Sequence, residues 1–303
     1  MLQQTRMEVV LTYFARFLER FPTLEALAAA SEHDVVAAWS GLGYYRRARM
    51  LRAGAVDVVE RFGGTIPQSV AELLTISGIG RYTAGAIASV AFDTHAPIVD
   101  GNVARIVARL FALEPALGTP ALQREAWVHA EALVDAARSP RMLNQGLMEL
   151  GAMICTPRKP ACLLCPVREH CLARATGRVD ELPHPKAKAV TRELRIPLYI
   201  VTDRQGRVLF RLESGALMNA MYHLPHGDTS LLPGTPLAVE RTTLLGTVRH
   251  TVTTRKITFE VWKAVAVRPR GREYRFILPS ELAGVPHPSY VEKALALLQS
   301  RKA

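Results

Sequence analysis

The stretch LLTISGIGRYTAGAIASVAFDTHAPIVDGN, residues 73–102, decides the fold. It opens on an apolar helix end (Leu73, Leu74, Ile76), turns tightly through Gly78 and Gly80, and continues as a helix of small residues through Ala91. Two glycines permit positive φ and a close backbone approach, and the second helix starts with unpaired N–H groups at its positive dipole end. Such a hairpin can hold a phosphate. A Gly-x-Gly turn between helices is also common as a turn and nothing more, so the weight falls on Asp100 in VDGN, about one helix further on.

The rest of the chain is consistent with a nucleic-acid partner. Its 303 residues, 49% hydrophobic, suffice for two domains with a sizeable core. A net charge of +11, from 38 Lys and Arg against 27 Asp and Glu, favours a polyanionic partner, with plain solubility as the bland alternative. No apolar run reaches about 18 residues, and no basic start leads into an apolar core, so a cytoplasmic protein with no membrane partner is expected.

Up to residue 155 the periodicity is helical. Val10, Tyr13, Phe14, Phe17, Leu18 and Phe21 share one face of a helix over 7–21. Ser31 with Asp34, and Ser69 with Glu72, read as helix starts. Between them GLGYYRRAR sets two tyrosines beside arginines, suited either to stacking on bases or to closing a helix end in the core. Further helices are predicted at 102–113, 121–137 and 140–154, the last entered by Ser139-Pro140. Asp100 on this reading alone is a helix N-cap.

All four cysteines fall in one loop, Cys155, Cys162, Cys165 and Cys171, spaced C-x6-C-x2-C-x5-C. Cytoplasmic thiols stay reduced, which disfavours disulfides and favours a metal. Zinc sites commonly use two close Cys-x-x-Cys pairs, and one is present here; four thiolates on a short loop also suit a 4Fe-4S cube. Residues 173–193 are basic, carry two prolines and lack periodicity, the composition of a linker. Beyond it come strand patterns in IPLYIV, RVLFRL, RKITFEVWKAV and EYRFIL, and a helix from Ser289: a small α+β domain.

Taken together, MLQQT (Met1 to Thr5), GLGYY (Gly41 to Tyr45), GIGRYTAGAI (Gly78 to Ile87), VDGNV (Val99 to Val103), LNQGLMELGAMICT (Leu143 to Thr156) and the cysteine spacing resemble the helix-hairpin-helix base-excision glycosylases, and within them the MutY, or adenine DNA glycosylase, branch. The resemblance implies a mainly α glycosylase domain over 1–172 with a 4Fe-4S cluster loop at 155–171, a linker at 173–193, and a MutT-like α+β domain over 194–303 that inspects the opposite base. It implies a monomer acting on double-stranded DNA that contains a mismatched adenine, with the cluster positioning DNA.

The site residues come from the same resemblance. Asp100 is the ionised carboxylate that stabilises the sugar cation, Asn102 helps position the site, and Tyr82 stands where bifunctional relatives carry a lyase lysine, which argues against an endonuclease III-like lyase. Gly78, Gly80, Arg81 and Thr83 form the phosphate-binding hairpin; Gln3, Gln4 and Tyr44 enter the base stack. His250, in Arg249-His250-Thr251, matches an opposite-base reader, although the family's Phe-Ser-His loop is here Val252-Thr253-Thr254. The Nudix run of magnesium-binding glutamates is absent from the sequence. In the family the general acid is a glutamate just ahead of MLQQT, so it is expected to lie upstream of Met1 together with a first helix; Glu8 falls after the motif and does not inherit the role. Lack of a positioned acid lowers rates by about 10² to 10⁴, so the chain as given is expected to cleave weakly, and an inert lesion-binding module is the rival.

Overall fold

Among the described residues the regular elements are helical up to residue 175, and beyond it they are six strands, a short 3-10 turn and a final helix, in a computed structural model that describes residues 1, 5, 7–186, 190–213, 221–226, 239–252, 254–266 and 272–299. Contacts divide the chain into two units, Met1–Val59 with Ala189–Ala303, and Glu60–Lys188.

The first unit begins with α1 (Met7–Arg20), α2 (Leu24–Ala29), α3 (Glu32–Ala38) and the start of α4 (Arg46–Phe62). Short polar side chains set the starts: the hydroxyls of Thr23 and Ser31 accept from the amides of Ala26 and Asp34, both at 3.1 Å. Phe17, Phe21, Val35, Val36, Trp39 and Tyr45 then close a core among these helices.

The second unit carries the predicted hairpin. Ser69 caps α5 (Val70–Leu73), Gly78 takes φ +81°, and Gly80 is the N-cap of α6 (Arg81–Ala86). The sequence predicts an α-helix through Ala91; instead α6 gives way to a π-helical turn over Ile87–Ala91. Here the buried Ser89 hydroxyl donates back to the Gly85 carbonyl at 2.7 Å, and the Asn144 amide donates to both Ser89 Oγ and the Ala96 carbonyl at 2.8 Å. Asn144 thereby holds the wide turn and the loop leading to Asp100 together. Then come α7 (Gly101–Leu110), α8 (Pro120–Asp135) and α9 (Pro140–Glu149), which runs into a second π turn at Leu150–Ile154, and α10 (Leu172–Ala175). Ile98, Val103, Ile106, Val107, Leu122, Ala126 and Leu147 form the core of this unit. The non-periodic stretch after α10 packs here too: Leu182 is buried, and Arg178 bonds both oxygens of Glu114.

The first unit is completed by β1 (Arg192–Ile200), β2 (Val208–Glu213), β3 (Met221–His223), β4 (Val239–Val252), β5 (Arg255–Ala266), β6 (Tyr274–Ile277) and α11 (Ser289–Gln299). The sheets run β1-β5-β4 and β3-β2-β6, with only β1 and β5 parallel. Ile196, Leu198, Phe210, Phe259 and Val261 meet Tyr290, Val291 and Ala294 of α11 in one core. β3 and β4 had no clear sequence pattern; the other strands and α11 lie where the alternation placed them.

A Cβ at Gly85 would collide with the Pro97 carbonyl, whereas one at Gly146 would meet open space. Gly85→Ala should therefore destabilise by about 1–3 kcal/mol. Gly146→Ala, in the interior of α9, should stabilise by about 0.5–1 kcal/mol. Thermal melts of the two variants check the pair.

Candidate active site

Asp100 is the N-cap of α7, and Oδ1 accepts from the amides of Asn102 and Val103, both at 2.8 Å. Capping uses one of the two carboxylate oxygens. Oδ2 receives only a long bond from Asn102 Nδ2, at 3.4 Å. The positive end of the α7 dipole faces this carboxyl group. Tyr82, at the start of α6, packs against the same core, and its hydroxyl lies 3.5 Å from Met148 Sδ. Burial, reinforced by the charge of Asp100, raises the Tyr82 phenol above its usual range, so it stays a neutral donor at physiological pH. Tyr82, Asp100 and Asn102 thus lie close to one another. On the hairpin, Gly80 has open space where a Cβ would be, leaving the first amides of α6 approachable. Arg81 is exposed with its guanidinium 3.7 Å from the centre of the Trp127 ring, and Thr83 is half-buried two residues further on.

Two residues that the sequence reading did not single out tie this site to the cysteine loop. Arg105 and Arg109 of α7 are both buried. Arg105 donates to Asn102 Oδ1 at 3.0 Å and to the carbonyls of Gly151 and Cys155 at 2.8 Å. Arg109 donates to the carbonyls of Thr156 at 2.8 Å and Leu182 at 2.9 Å, and approaches Cys155 Sγ at 3.3 Å. The available signal was their i,i+4 spacing inside NVARIVARL, where the rest of the helix is apolar. Gly151 makes the approach possible, since a Cβ there would lie 2.7 Å from Asn102 Cβ.

All four cysteines line one cavity with Leu110, Leu150, Ile154, Val167 and the guanidinium-bearing Arg109, Arg168 and Arg174. None is in a disulfide. A zinc ion bound at about 2.3 Å by four thiolates would bring their sulfurs to about 3.8 Å from one another. Among the described residues, the three-ligand group drawn within 4.8 Å is His95, Glu131 and Asp135, on the surface, and contains no cysteine. Arg109, Arg168 and Arg174 place positive charge around the four cysteines.

The other sequence-derived residues lie in the first unit. The two tyrosines of GLGYY differ in burial: Tyr44 is 56% exposed and Tyr45 is buried in the helical core. Gln3 and Gln4 lie outside the described residues, but both flanks are held by Arg47, which donates to the Met1 carbonyl and to Thr5 Oγ1 at 2.9 Å and to the Gly43 carbonyl at 3.2 Å. That guanidinium brings Met1 and Thr5 to the GLGYY turn. His250 sits on β4, half-buried, its ring 5.3 Å from that of Tyr290. Burial, with Lys293 adding to it, lowers its pKa, so the imidazole is neutral at pH 7. Thr253, in the loop after it, lies outside the described residues.

Residues 1–131 match the HhH-GPD superfamily of base excision DNA repair proteins, and residues 155–171 match the iron-sulfur binding domain of endonuclease III. Adenine DNA glycosylase of Rattus norvegicus is 46% identical over 187 residues, which are 60% of this chain and 36% of the relative. That of Homo sapiens is 45% identical over 183 residues, 60% of this chain and 33% of the relative. The enzyme of Mycolicibacterium smegmatis is 40% identical over 207 residues, 68% and 66% of the two chains. The match thus spans about a third of the length of the mammalian relatives. Among solved structures, a thermostable thymine-DNA glycosylase superposes with a TM-score of 0.50 at 27% identity, over 58% of this chain and 80% of that one.

The cysteines and arginines are separable by substitution. Cys162→Ser should lose the broad absorbance near about 400 nm that a 4Fe-4S cluster gives. Arg105→Met leaves the Gly151 and Cys155 carbonyls without this donor and should destabilise by about 2–4 kcal/mol while the cysteines remain. Iron content and thermal melts read the two effects.

Proposed function

We propose that this chain is a monofunctional adenine DNA glycosylase acting, as a monomer, on adenine mispaired with 8-oxoguanine or guanine, a reading supported by the match of residues 1–131 to the HhH-GPD superfamily of base excision DNA repair proteins and of residues 155–171 to the iron-sulfur binding domain of endonuclease III. The single observation that carries this reading is the grouping of Asp100, Asn102 and Tyr82 beside a glycine hairpin, with a tyrosine at the position where a lyase would carry its lysine.

Hydrolysis of the N-glycosidic bond places positive charge on the sugar, after the adenine has been flipped from the stack. Asp100 supplies the opposing charge, since Oδ2 is not used by the helix cap. Asn102 keeps the carboxylate oriented and is itself held by Arg105. Tyr82 contributes a neutral hydroxyl beside that charge, with no amine to form a covalent sugar adduct. Gly78, Gly80 and the first amides of α6 hold the backbone phosphate, and Arg81 and Thr83 extend that surface. Cys155, Cys162, Cys165 and Cys171 hold a 4Fe-4S cluster, which fixes the loop that carries Arg158, Lys159 and Arg168 toward DNA. The α+β domain is the opposite-base reader, with His250 as its candidate contact.

Single-turnover assays on duplexes with adenine opposite 8-oxoguanine test the reading. Base release should fall by about 10²–10³ in Asp100→Asn, which keeps the cap acceptor but not the charge. Borohydride should trap no covalent adduct; a trapped adduct would point to a lyase, and tight mismatch binding without base release to a lesion-binding module.

A further inference from the structure

The GLGYY turn is held in part by its neighbours, the Gly43 carbonyl accepting from Trp39 Nε1 and from the Arg47 guanidinium, both at 3.2 Å. Gly41 and Gly43 take φ of +97° and +70°, which glycine adopts freely, but Tyr44 comes next at +48°, in a region that few non-glycine residues occupy. Tyr44 held in that conformation is 56% exposed, with the Arg47 guanidinium 5.6 Å from the centre of its ring. The neighbouring Tyr45 points inward, and its hydroxyl makes two bonds. It accepts from the Gly41 amide at 3.3 Å and donates to the carbonyl of His287 at 2.7 Å.

His287 is 242 residues further along the chain and belongs to the segment entering α11. That segment is itself secured. His287 is almost fully buried, its Nδ1 lies 2.8 Å from the Val285 carbonyl, and the Tyr222 amide on β3 donates to the Pro286 carbonyl at 2.8 Å. Met221, also on β3 and fully buried, packs in the helical core with Trp39 and Tyr45. Burial pushes the Tyr45 phenol up to about 12, so its hydroxyl remains a proton donor far above neutral pH. The turn is therefore braced from the α+β region and not from the helices alone.

We propose that Tyr45 is a positioning residue for Tyr44, and that the 285–288 segment, through the Tyr45–His287 hydrogen bond, fixes how Tyr44 is presented to the base stack of a duplex. The part concerning DNA rests on the glycosylase reading above; the brace itself does not. The α+β region then has a second duty besides reading the opposite base: it sets the posture of the residue that enters the stack.

The test uses the full chain with Tyr45→Phe, which keeps the ring and removes both bonds, and Met221→Leu, which alters the same core and leaves both bonds in place. Amide hydrogen exchange over residues 41–47 should quicken about tenfold in Tyr45→Phe and change less than about twofold in Met221→Leu, while residues 81–110 hold steady in both. In DNA binding, Tyr45→Phe should lower the preference for a mismatched over a matched duplex about fivefold, and should lower it no further when Tyr44→Ala is already present. Unchanged exchange at 41–47, equal loosening by both variants, or additive losses with Tyr44→Ala would each overturn the proposal. If wild type shows no mismatch preference while the exchange difference persists, the brace stands and the glycosylase reading falls.

Discussion

A loop wrapped around four thiols has no ladder of its own to satisfy its carbonyl groups, and the second unit depends on how that deficit is met. Arg105 and Arg109 meet it from one face of α7, placing charged donors against the carbonyls of Gly151, Cys155 and Thr156. The same helix begins at Asp100. Order in the cysteine loop and orientation of the carboxylate are therefore two ends of one rigid element about 15 Å long, at 1.5 Å per residue over ten residues. Burying two guanidiniums is costly unless every donor finds a partner, and the carbonyl groups of an irregular loop supply those partners.

Electrostatics divides along the same element. The carboxylate sits at the positive end of α7, where a negative charge is favoured, and the thiolates lie beside the guanidiniums of Arg109, Arg168 and Arg174. Each negative group has its compensation close at hand. That leaves the chain's excess of basic residues available to a polyanion.

Much of this was legible in the sequence because it rests on local rules. Ser31, Ser69, Ser139 and Asp100 cap the helices that they were expected to cap, since a short side-chain acceptor acts within three residues. The hairpin glycines and the cysteine spacing are equally local. What escaped needed distance. Arg105 and Arg109 look like surface charges until a loop 46 to 73 residues away brings carbonyls to them. Which tyrosine of GLGYY faces inward is decided by an acceptor near the other end of the chain. β3, three residues long, is too short to show alternation, and its identity comes from β2 and the core beneath it.

The π-helical turns at Ile87–Ala91 and Leu150–Ile154 each amount to an inserted residue that the helix has absorbed without breaking. One extra residue rotates everything downstream by about 100° around the helix axis. In the first turn that rotation carries the chain into the loop running to Asp100; in the second it carries the chain into Cys155. The two pieces of chemistry in this unit are thus set by angular offsets, and shortening either turn by a single residue would redirect a carboxylate or a thiol while every side chain retained its identity.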